Sequence, residues 1–169
     1  MEKVISIGKQ NFASLRENHY FFVDKSHFIK DWWENGDEIT LITRPRRFGK
    51  TLNMSMLDCF FSNKYAARGD LFEGLGVWKE EKYRELQGKY PVIFLSFAAV
   101  KADQLSEAKI QIKQQIARVY EENRYLLDGD LLSGNEKKAY NEVNLHMGDA
   151  EAAAALNNCL LYTSPSPRD

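Results

Sequence analysis

The stretch Ile42–Thr51, ITRPRRFGKT, constrains the fold of this chain more than any other part of the sequence. Its last three residues, Gly49–Thr51, close the pattern GxxxxGK(S/T), in which a turn between a strand and a helix wraps around phosphate. Arg44 stands where that pattern has its opening glycine. Pro45 offers another way to shape the turn, because its fixed φ makes a rigid corner and keeps the preceding residue extended.

The residues on either side of this turn have the periodicities that a phosphate-binding loop requires. Glu38–Thr43 is a short β-branched and apolar run, typical of a strand that is buried on both faces. After the turn, Leu52, Met56, Cys59 and Phe60 fall on one stripe of a helix. A chance Gly-Lys-Thr would lack this order of strand, loop and helix, so the sequence predicts a working loop.

The chemistry of the loop predicts a nucleotide and Mg²⁺ as its ligands. Backbone N–H groups of residues 47–51 can converge on an anion, helped by the N-terminus of the following helix. Lys50 is the predicted catalytic residue and reaches the β- and γ-phosphates, while the Thr51 hydroxyl binds the metal. The predicted cofactor-binding residues are Arg44, Arg46, Arg47, Phe48, Gly49, Lys50 and Thr51. At least one of the three arginines is expected to touch phosphate or an acidic protein.

The rest of the chain predicts an α/β fold, with a parallel sheet flanked by helices. A helix is expected over about Asp24–Asn35 with a left-handed stop at Gly36, a second buried strand over Tyr90–Phe97, and a long helix over about Asp103–Leu127. Strands that alternate with helices indicate a parallel sheet, which is incomplete here because only two strands are visible. The long helix has a predicted buried face of Leu105, Ala108, Ile112, Ile116, Val119 and Tyr120, and Lys109, Lys113 and Gln114 are predicted to face water.

Composition narrows the class of protein. A net charge of −1 over 169 residues does not show the excess of basic residues that a dedicated nucleic-acid binder has. Hydrophobic residues make up 44% of the chain, which favours a folded globule over disorder. The amino-terminal residues have no signal-peptide pattern, and no apolar run is long enough to span a bilayer. With only two cysteines and no metal-ligand spacing, a cytoplasmic location without membrane contact is expected.

The string RPRRFGKT, followed by LNMSMLDCFF and preceded by YFFVDKSHFI, resembles the AAA-ATPase-like family of bacterial P-loop proteins. The resemblance covers about Ile5–Phe97 and continues more weakly through the long helix. It implies a P-loop NTPase fold with ATP and Mg²⁺ as cofactors, in which RPRRFGKT is the ordinary phosphate loop. Val23–Ser26, VDKS, stands where the family has Val-Asp-Lys-Thr. A C-terminal PD-(D/E)XK nuclease-like domain, and through it nucleic acid as a partner, is also implied.

The family pattern further implies a later strand that ends in acidic residues, and this chain has no such strand. Those acids complete the metal site and polarise water, so we predict nucleotide binding without hydrolysis. Two other functions stay open on the sequence: a P-loop kinase that phosphorylates a small molecule, and a non-catalytic module whose arginines bind a protein. The oligomeric state is left undetermined.

The segment Cys159–Asp169, CLLYTSPSPRD, differs abruptly in composition from the Ala- and Leu-rich residues before it. Its codons can be written as a sequencing-library adapter translated in frame. We therefore expect residues 159–169 to be an artefact. Residues 1–158 are expected to be the amino-terminal part of an AAA-like ATPase domain.

Overall fold

The computed structural model describes residues 4–45, 47–128 and 132–163. The chain forms two compact units, Met1–Val92 and Ile93–Asp169. Each unit has its own cluster of buried hydrophobic residues. None of the helices in the described part of the chain combines the length and the apolar character that a membrane crossing needs.

Short helices build the first unit. Its α-helices are α1 (Phe12–Glu17), α2 (His27–Asn35), α3 (Lys50–Phe61) and α4 (Glu81–Arg84), with 3-10 helices at Asn63–Tyr65, Gly69–Phe72 and Gly76–Lys79. Asn11 caps α1, since its side-chain oxygen accepts a hydrogen bond from the N–H of Ser14 at 2.8 Å. The predicted stop of α2 is confirmed: Gly36 has φ 64° and ψ 24°, the left-handed conformation that glycine adopts at no steric cost.

Aromatic rings fill the core of this first unit. Phe12 stacks on Phe72 with ring centroids 5.1 Å apart, and Phe60 meets Phe72 edge to face at 5.0 Å. The predicted stripe of α3 is confirmed, because Met56, Cys59 and Phe60 are all buried in this cluster. The 3-10 segments between residues 63 and 79 also contribute to the core, a role that their polar sequence did not indicate. Their buried residues are Leu71, Phe72 and Val77.

The predicted parallel sheet is wrong. Residues 38–43 have no regular secondary structure, and Ile39 and Leu41 are 88% and 83% exposed. Within the described residues, β pairing is limited to one isolated parallel bridge between Ser62 and Tyr90. The α/β P-loop fold is therefore not formed: the described elements are helices and turns.

The backbone of Tyr90 explains why the two predicted strands do not meet. Its N–H donates to the carbonyl of Phe61 at 2.9 Å, and its carbonyl accepts from the N–H of Asn63 at 2.8 Å. The start of the second predicted strand is thus paired with the end of α3. A parallel pair is less stable per residue than an antiparallel one, and two strands alone are marginal in water. Residues 38–43 therefore have no neighbouring strand with which to pair.

The second unit consists of α5 (Leu105–Glu122), α6 (Gly134–Glu142) and α7 (Asp149–Thr163), with a 3-10 helix at Arg124–Leu127. Ser133 and Glu136 form a capping box that fixes the start of α6. Two tyrosine hydroxyls tie the helices together: Tyr120 donates to the carbonyl of Ala155 at 2.8 Å, and Tyr140 donates to the carbonyl of Tyr120 at 2.6 Å.

The predicted faces of the long helix α5 are partly wrong. Ile116, Val119 and Tyr120 are buried as predicted, but Leu105 is 73% exposed at the first turn. Lys113 does not face water: its side chain is only 17% exposed, and its ammonium lies 2.8 Å from the Asp149 carboxylate. The hydrophobic period locates the stripe, but it does not reveal that an acidic residue lies opposite the lysine.

Helix α7 continues across the boundary that the sequence predicts between Asn158 and Cys159. Ala152, Ala155 and Cys159 are all buried in the core of the second unit, so the cysteine extends the stripe of small residues on this helix. Residues 164–169, the last part of the adapter-like segment, lie outside the described residues.

Candidate phosphate-binding site

Helix α3 is held in place from its second turn onward. Ser55 is buried, and its hydroxyl accepts a hydrogen bond from the N–H of Phe12 at 3.0 Å. Three residues of its apolar stripe lie in the core of the first unit. Burial of such side chains stabilises a fold by about 1.5–3 kcal/mol each. The N-terminus of α3, where Lys50 begins the helix, is therefore presented by a fixed element.

Two residues immediately before α3 have a positive φ, which is an uncommon backbone conformation. Arg47 has a φ of 69°, and Gly49 has φ 76° and ψ 18°. Lys50 then enters the right-handed helix. A left-handed residue followed by a right-handed one turns successive N–H groups toward the same side, which makes a concave anion-binding surface. A positive φ is uncommon for arginine and costs on the order of 1–3 kcal/mol, and such outliers cluster at functional sites.

The first turn of α3 begins with the N–H groups of residues 50–52. The first backbone hydrogen bond of this turn runs from the N–H of Asn53 to the carbonyl of Gly49 at 2.9 Å. Within the described residues, no acceptor faces the N–H groups of residues 50–52. Such groups carry the positive end of the helix dipole, so they favour a phosphate or another anion.

The structure brings the predicted site residues together only in part. Lys50 is half-buried, and its ammonium donates a hydrogen bond to the carbonyl oxygen of Arg44, so these two ends of the loop are in contact. Thr51 is exposed on the first turn of α3, and Phe48 is 56% exposed. Arg46 lies outside the described residues. We refer to residues 44–51 as the Arg44–Thr51 loop.

A second segment reaches this loop, and the loop motif alone does not reveal it. The ammonium nitrogen of Lys25 lies 3.8 Å from the position that a Cβ would take at Gly49. The sequence contained one signal, because Lys25 belongs to the VDKS segment on which the family resemblance partly depends. Its neighbours Asp24 and Ser26 are held by hydrogen bonds to the 3-10 helix at Gly76–Lys79.

Asp24 is the charged anchor of that segment. Its carboxylate accepts hydrogen bonds from the N–H groups of Ser26 at 2.8 Å and Gly76 at 2.7 Å. Burial alone would raise the pKa of Asp24, but the hydrogen bonds from Ser26 and Gly76 outweigh it, and the pKa is lowered. Asp24 therefore stays ionised and holds the start of α2 in position.

The side chains at the loop fit phosphate better than they fit a metal ion. Lys50 and the first N–H groups of α3 are donors at the loop, and the Lys25 ammonium lies beside Gly49. The Thr51 hydroxyl, on the first turn of α3, is an oxygen that a cation could use. Among the described residues, no group of three His, Cys, Asp or Glu side chains is placed to hold a metal. Mg²⁺ commonly binds through one or two protein oxygens together with substrate phosphates and water. A Mg²⁺ ion at this loop would therefore need phosphate oxygens of a ligand for most of its coordination.

The second unit contains a cavity of a different character. It has a volume of about 310 Å³. Apolar side chains of Ile116, Val119 and Leu156 line it, together with Tyr120 and Cys159. No cation converges on this cavity from its lining residues, so it does not resemble a phosphate site.

Comparison with known proteins finds a family match over most of the chain. The model of a family described as predicted AAA-ATPases matches residues 6–156. The chain belongs to this family. The match includes the Arg44–Thr51 loop, the VDKS segment and most of the second unit, so the resemblance to AAA-ATPase-like proteins is confirmed.

This member of the predicted AAA-ATPase family also matches a curated relative. The relative, from Azotobacter chroococcum mcd 1, is described as an uncharacterized protein in the vnfD 5' region. The two are 36% identical over 96 residues, which is 56% of this chain and 17% of the relative. The chain thus aligns with a small part of the relative's length. No solved structure matches the chain.

Proposed function

We propose that the chain binds ATP, with the triphosphate held by the Arg44–Thr51 loop. The observation that carries the proposal is the pair of left-handed residues, Arg47 and Gly49, directly before the N-terminus of α3. This arrangement directs N–H groups to one side and adds the helix dipole behind them. The family match supports a nucleoside triphosphate as the anion.

Lys50 would add a full positive charge to this surface of backbone N–H groups. Its ammonium contacts the Arg44 carbonyl, which places it inside the curve of the loop. A phosphate oxygen is a stronger acceptor than a neutral carbonyl, because both partners of the new hydrogen bond are charged. Binding of the triphosphate would therefore draw Lys50 from Arg44 to the phosphate. Mg²⁺, when bound with the nucleotide, neutralises phosphate charge, and Thr51 would offer it a hydroxyl.

Hydrolysis requires more than this loop provides. Carboxylates must complete the metal site and orient the attacking water. The described residues place no acidic or histidine cluster that could do so. We therefore propose that this chain binds ATP without sustained turnover.

Calorimetric titration of the full chain with Mg·ATP tests the proposal. Lys50→Ala should weaken binding roughly ten- to a hundredfold, since it removes a charge-assisted contact of about 1.5–3 kcal/mol. Thr51→Ala should weaken binding more in the presence of Mg²⁺ than in its absence. Lys79→Ala, an exposed lysine of the same unit outside the loop, is the matched control and should bind as the wild type does.

Three results would contradict the proposal. A folded wild-type chain that binds no ATP would exclude this function and favour a protein-binding role for the arginines. Equal binding by wild type and Lys50→Ala, with unchanged far-UV circular dichroism, would exclude the loop as the site. Phosphate release that is steady in the wild type and lost in Lys50→Ala would contradict the absence of turnover.

A further inference from the structure

Lys25 is held beside the loop by contacts that do not involve its own ammonium. Asp24, directly before it, accepts a hydrogen bond from the N–H of Gly76. Ser26, directly after it, is fully buried, and its hydroxyl accepts from the N–H of Val77 at 3.1 Å. The backbone at Lys25 is therefore fixed on both sides. The side chain is exposed and extends from this anchor toward Gly49.

The charge of Lys25 lacks a counterpart in the part of the chain that the structure describes. No hydrogen bond or ion pair engages its ammonium there. Two other lysines of the first unit have one: Lys30 contacts Glu80 at 3.1 Å and Lys82 contacts Glu34 at 2.7 Å. Lys25 instead lies by the N-terminus of α3, where the helix dipole and Lys50 are also positive.

This concentration of positive charge is unfavourable in the free chain and favourable around a polyanion. Like charges that are held together repel, and an anion with several negative oxygens relieves the repulsion while it forms charge-assisted hydrogen bonds. We propose that Lys25 is a second phosphate-binding lysine, which contacts the polyphosphate of the bound nucleotide beside Gly49. The inference rests on the proposed function, because it assigns a further ligand residue to the same site.

The assignment gives the VDKS segment a role in binding as well as in folding. Asp24 and Ser26 position the segment, and Lys25 between them would contact the ligand. Binding would then link the start of α2 to the start of α3. Truncation of Lys25 should leave the hydrogen bonds of Asp24 and Ser26 intact, because neither involves its side chain.

The test compares Lys25→Gln, Lys25→Arg and Lys79→Gln in the full chain, with ATP and with inorganic tripolyphosphate as probes. Lys25→Gln should weaken the binding of both probes roughly tenfold, since the contact is to phosphate and not to the base. Lys25→Arg should retain most of the affinity because it keeps the charge. Lys79→Gln removes the same charge elsewhere in the unit and should have little effect.

Salt dependence gives a second readout that a purely structural role would not change. A lost lysine–phosphate contact should make the affinity of Lys25→Gln for tripolyphosphate less sensitive to sodium chloride than that of the wild type. Thermal unfolding of all variants should coincide. Wild-type affinity in Lys25→Gln, alongside weakened binding by Lys50→Ala, would overturn the role of Lys25 and leave the proposed function intact. Absence of binding by the wild type would overturn the proposed function itself.

Discussion

Gly49 adopts a left-handed conformation at the junction between the Arg44–Thr51 loop and α3. A residue with a Cβ is disfavoured in this region by about 1–2 kcal/mol, because the Cβ approaches the following carbonyl oxygen. The space around the position is otherwise open: the nearest atom to a methyl group at this position would be the Lys25 ammonium nitrogen, at an ordinary contact distance of 3.8 Å. Backbone strain is therefore the main cost of a substitution at Gly49.

Gly49→Ala should lower the free energy of unfolding by about 1–2 kcal/mol. Urea denaturation of the full chain, followed by circular dichroism, measures the change. Gly134→Ala is the matched control, since Gly134 begins α6 with open space around it and no positive φ. That change should be neutral or stabilise by up to about 1 kcal/mol. Equal destabilisation by both substitutions would show that the conformation of Gly49 is not the cause.

At the scale of single elements, helices α2, α3 and α5 could be predicted from the sequence, and the strands could not. The stripe of Met56, Cys59 and Phe60 is a local pattern, so α3 forms where the periodicity indicates. A strand needs a partner at a fixed distance, and its sequence does not specify that partner. Residues 38–43 have strand composition, but Tyr90 pairs with the end of α3 instead.

Helix α2 should depend on one fully buried side chain. Ile29 has no exposed surface and packs in the aromatic core of the first unit. Ile29→Ala should lower the free energy of unfolding by about 2–5 kcal/mol, through lost burial and the cavity left behind. Asp31→Ala, on the exposed face of the same helix, should change it by no more than about 0.5 kcal/mol. If urea denaturation showed that Ile29→Ala lowers the free energy of unfolding as little as Asp31→Ala does, α2 would be peripheral.

Helices α5 and α7 should lose an electrostatic contact in acid. Hydrogen bonds from Lys109 and Lys113 lower the pKa of Asp149 from its ordinary 3.8 to about 2. A carboxyl group whose pKa is lower in the folded state stabilises the fold above its unfolded pKa, and this contribution disappears as the pH falls through the folded value. The stabilisation is thus complete above about pH 4 and lost toward pH 2.

The measurement compares the wild type with Asp149→Asn by urea denaturation between pH 6 and the lowest pH at which the chain stays folded. The wild type should be the more stable at neutral pH. The difference between the free energies of unfolding of the two chains should narrow as the pH falls below about 4. Glu107→Gln is the control, because this exposed residue of α5 has no ion pair within the described residues. A difference between wild type and Asp149→Asn that stays constant with pH would contradict the role of the ion pairs.

At the scale of the whole molecule, the sequence predicts a candidate loop but does not reveal which other segment lies beside it. Residues 47–51 could be proposed as a phosphate site from the Gly-Lys-Thr pattern, because phosphate-binding backbones require particular residues at particular spacing. The position of Lys25 near Gly49 could not, since it depends on hydrogen bonds of Asp24 and Ser26 to residues about fifty positions away. Those contacts are set by tertiary packing, which a local pattern does not encode.

The first unit carries both the loop and a core of its own, so it should fold and bind without the second. Tyr90 closes this unit, because its backbone pairs with Phe61 and with Asn63. A chain of residues 1–92 should therefore unfold cooperatively in urea, with a stability on the order of 5 kcal/mol. It should also bind Mg·ATP as tightly as the full chain does.

Residues 1–74 provide the contrasting case, because this shorter chain lacks the buried side chains of Leu75, Val77 and Tyr83. It should show no cooperative transition, since it loses part of the only core that this unit has among its described residues. If residues 1–92 also failed to unfold cooperatively, the first unit would need the second to fold. If they folded but did not bind ATP, while the full chain did, residues of the second unit would have to contribute to the nucleotide site.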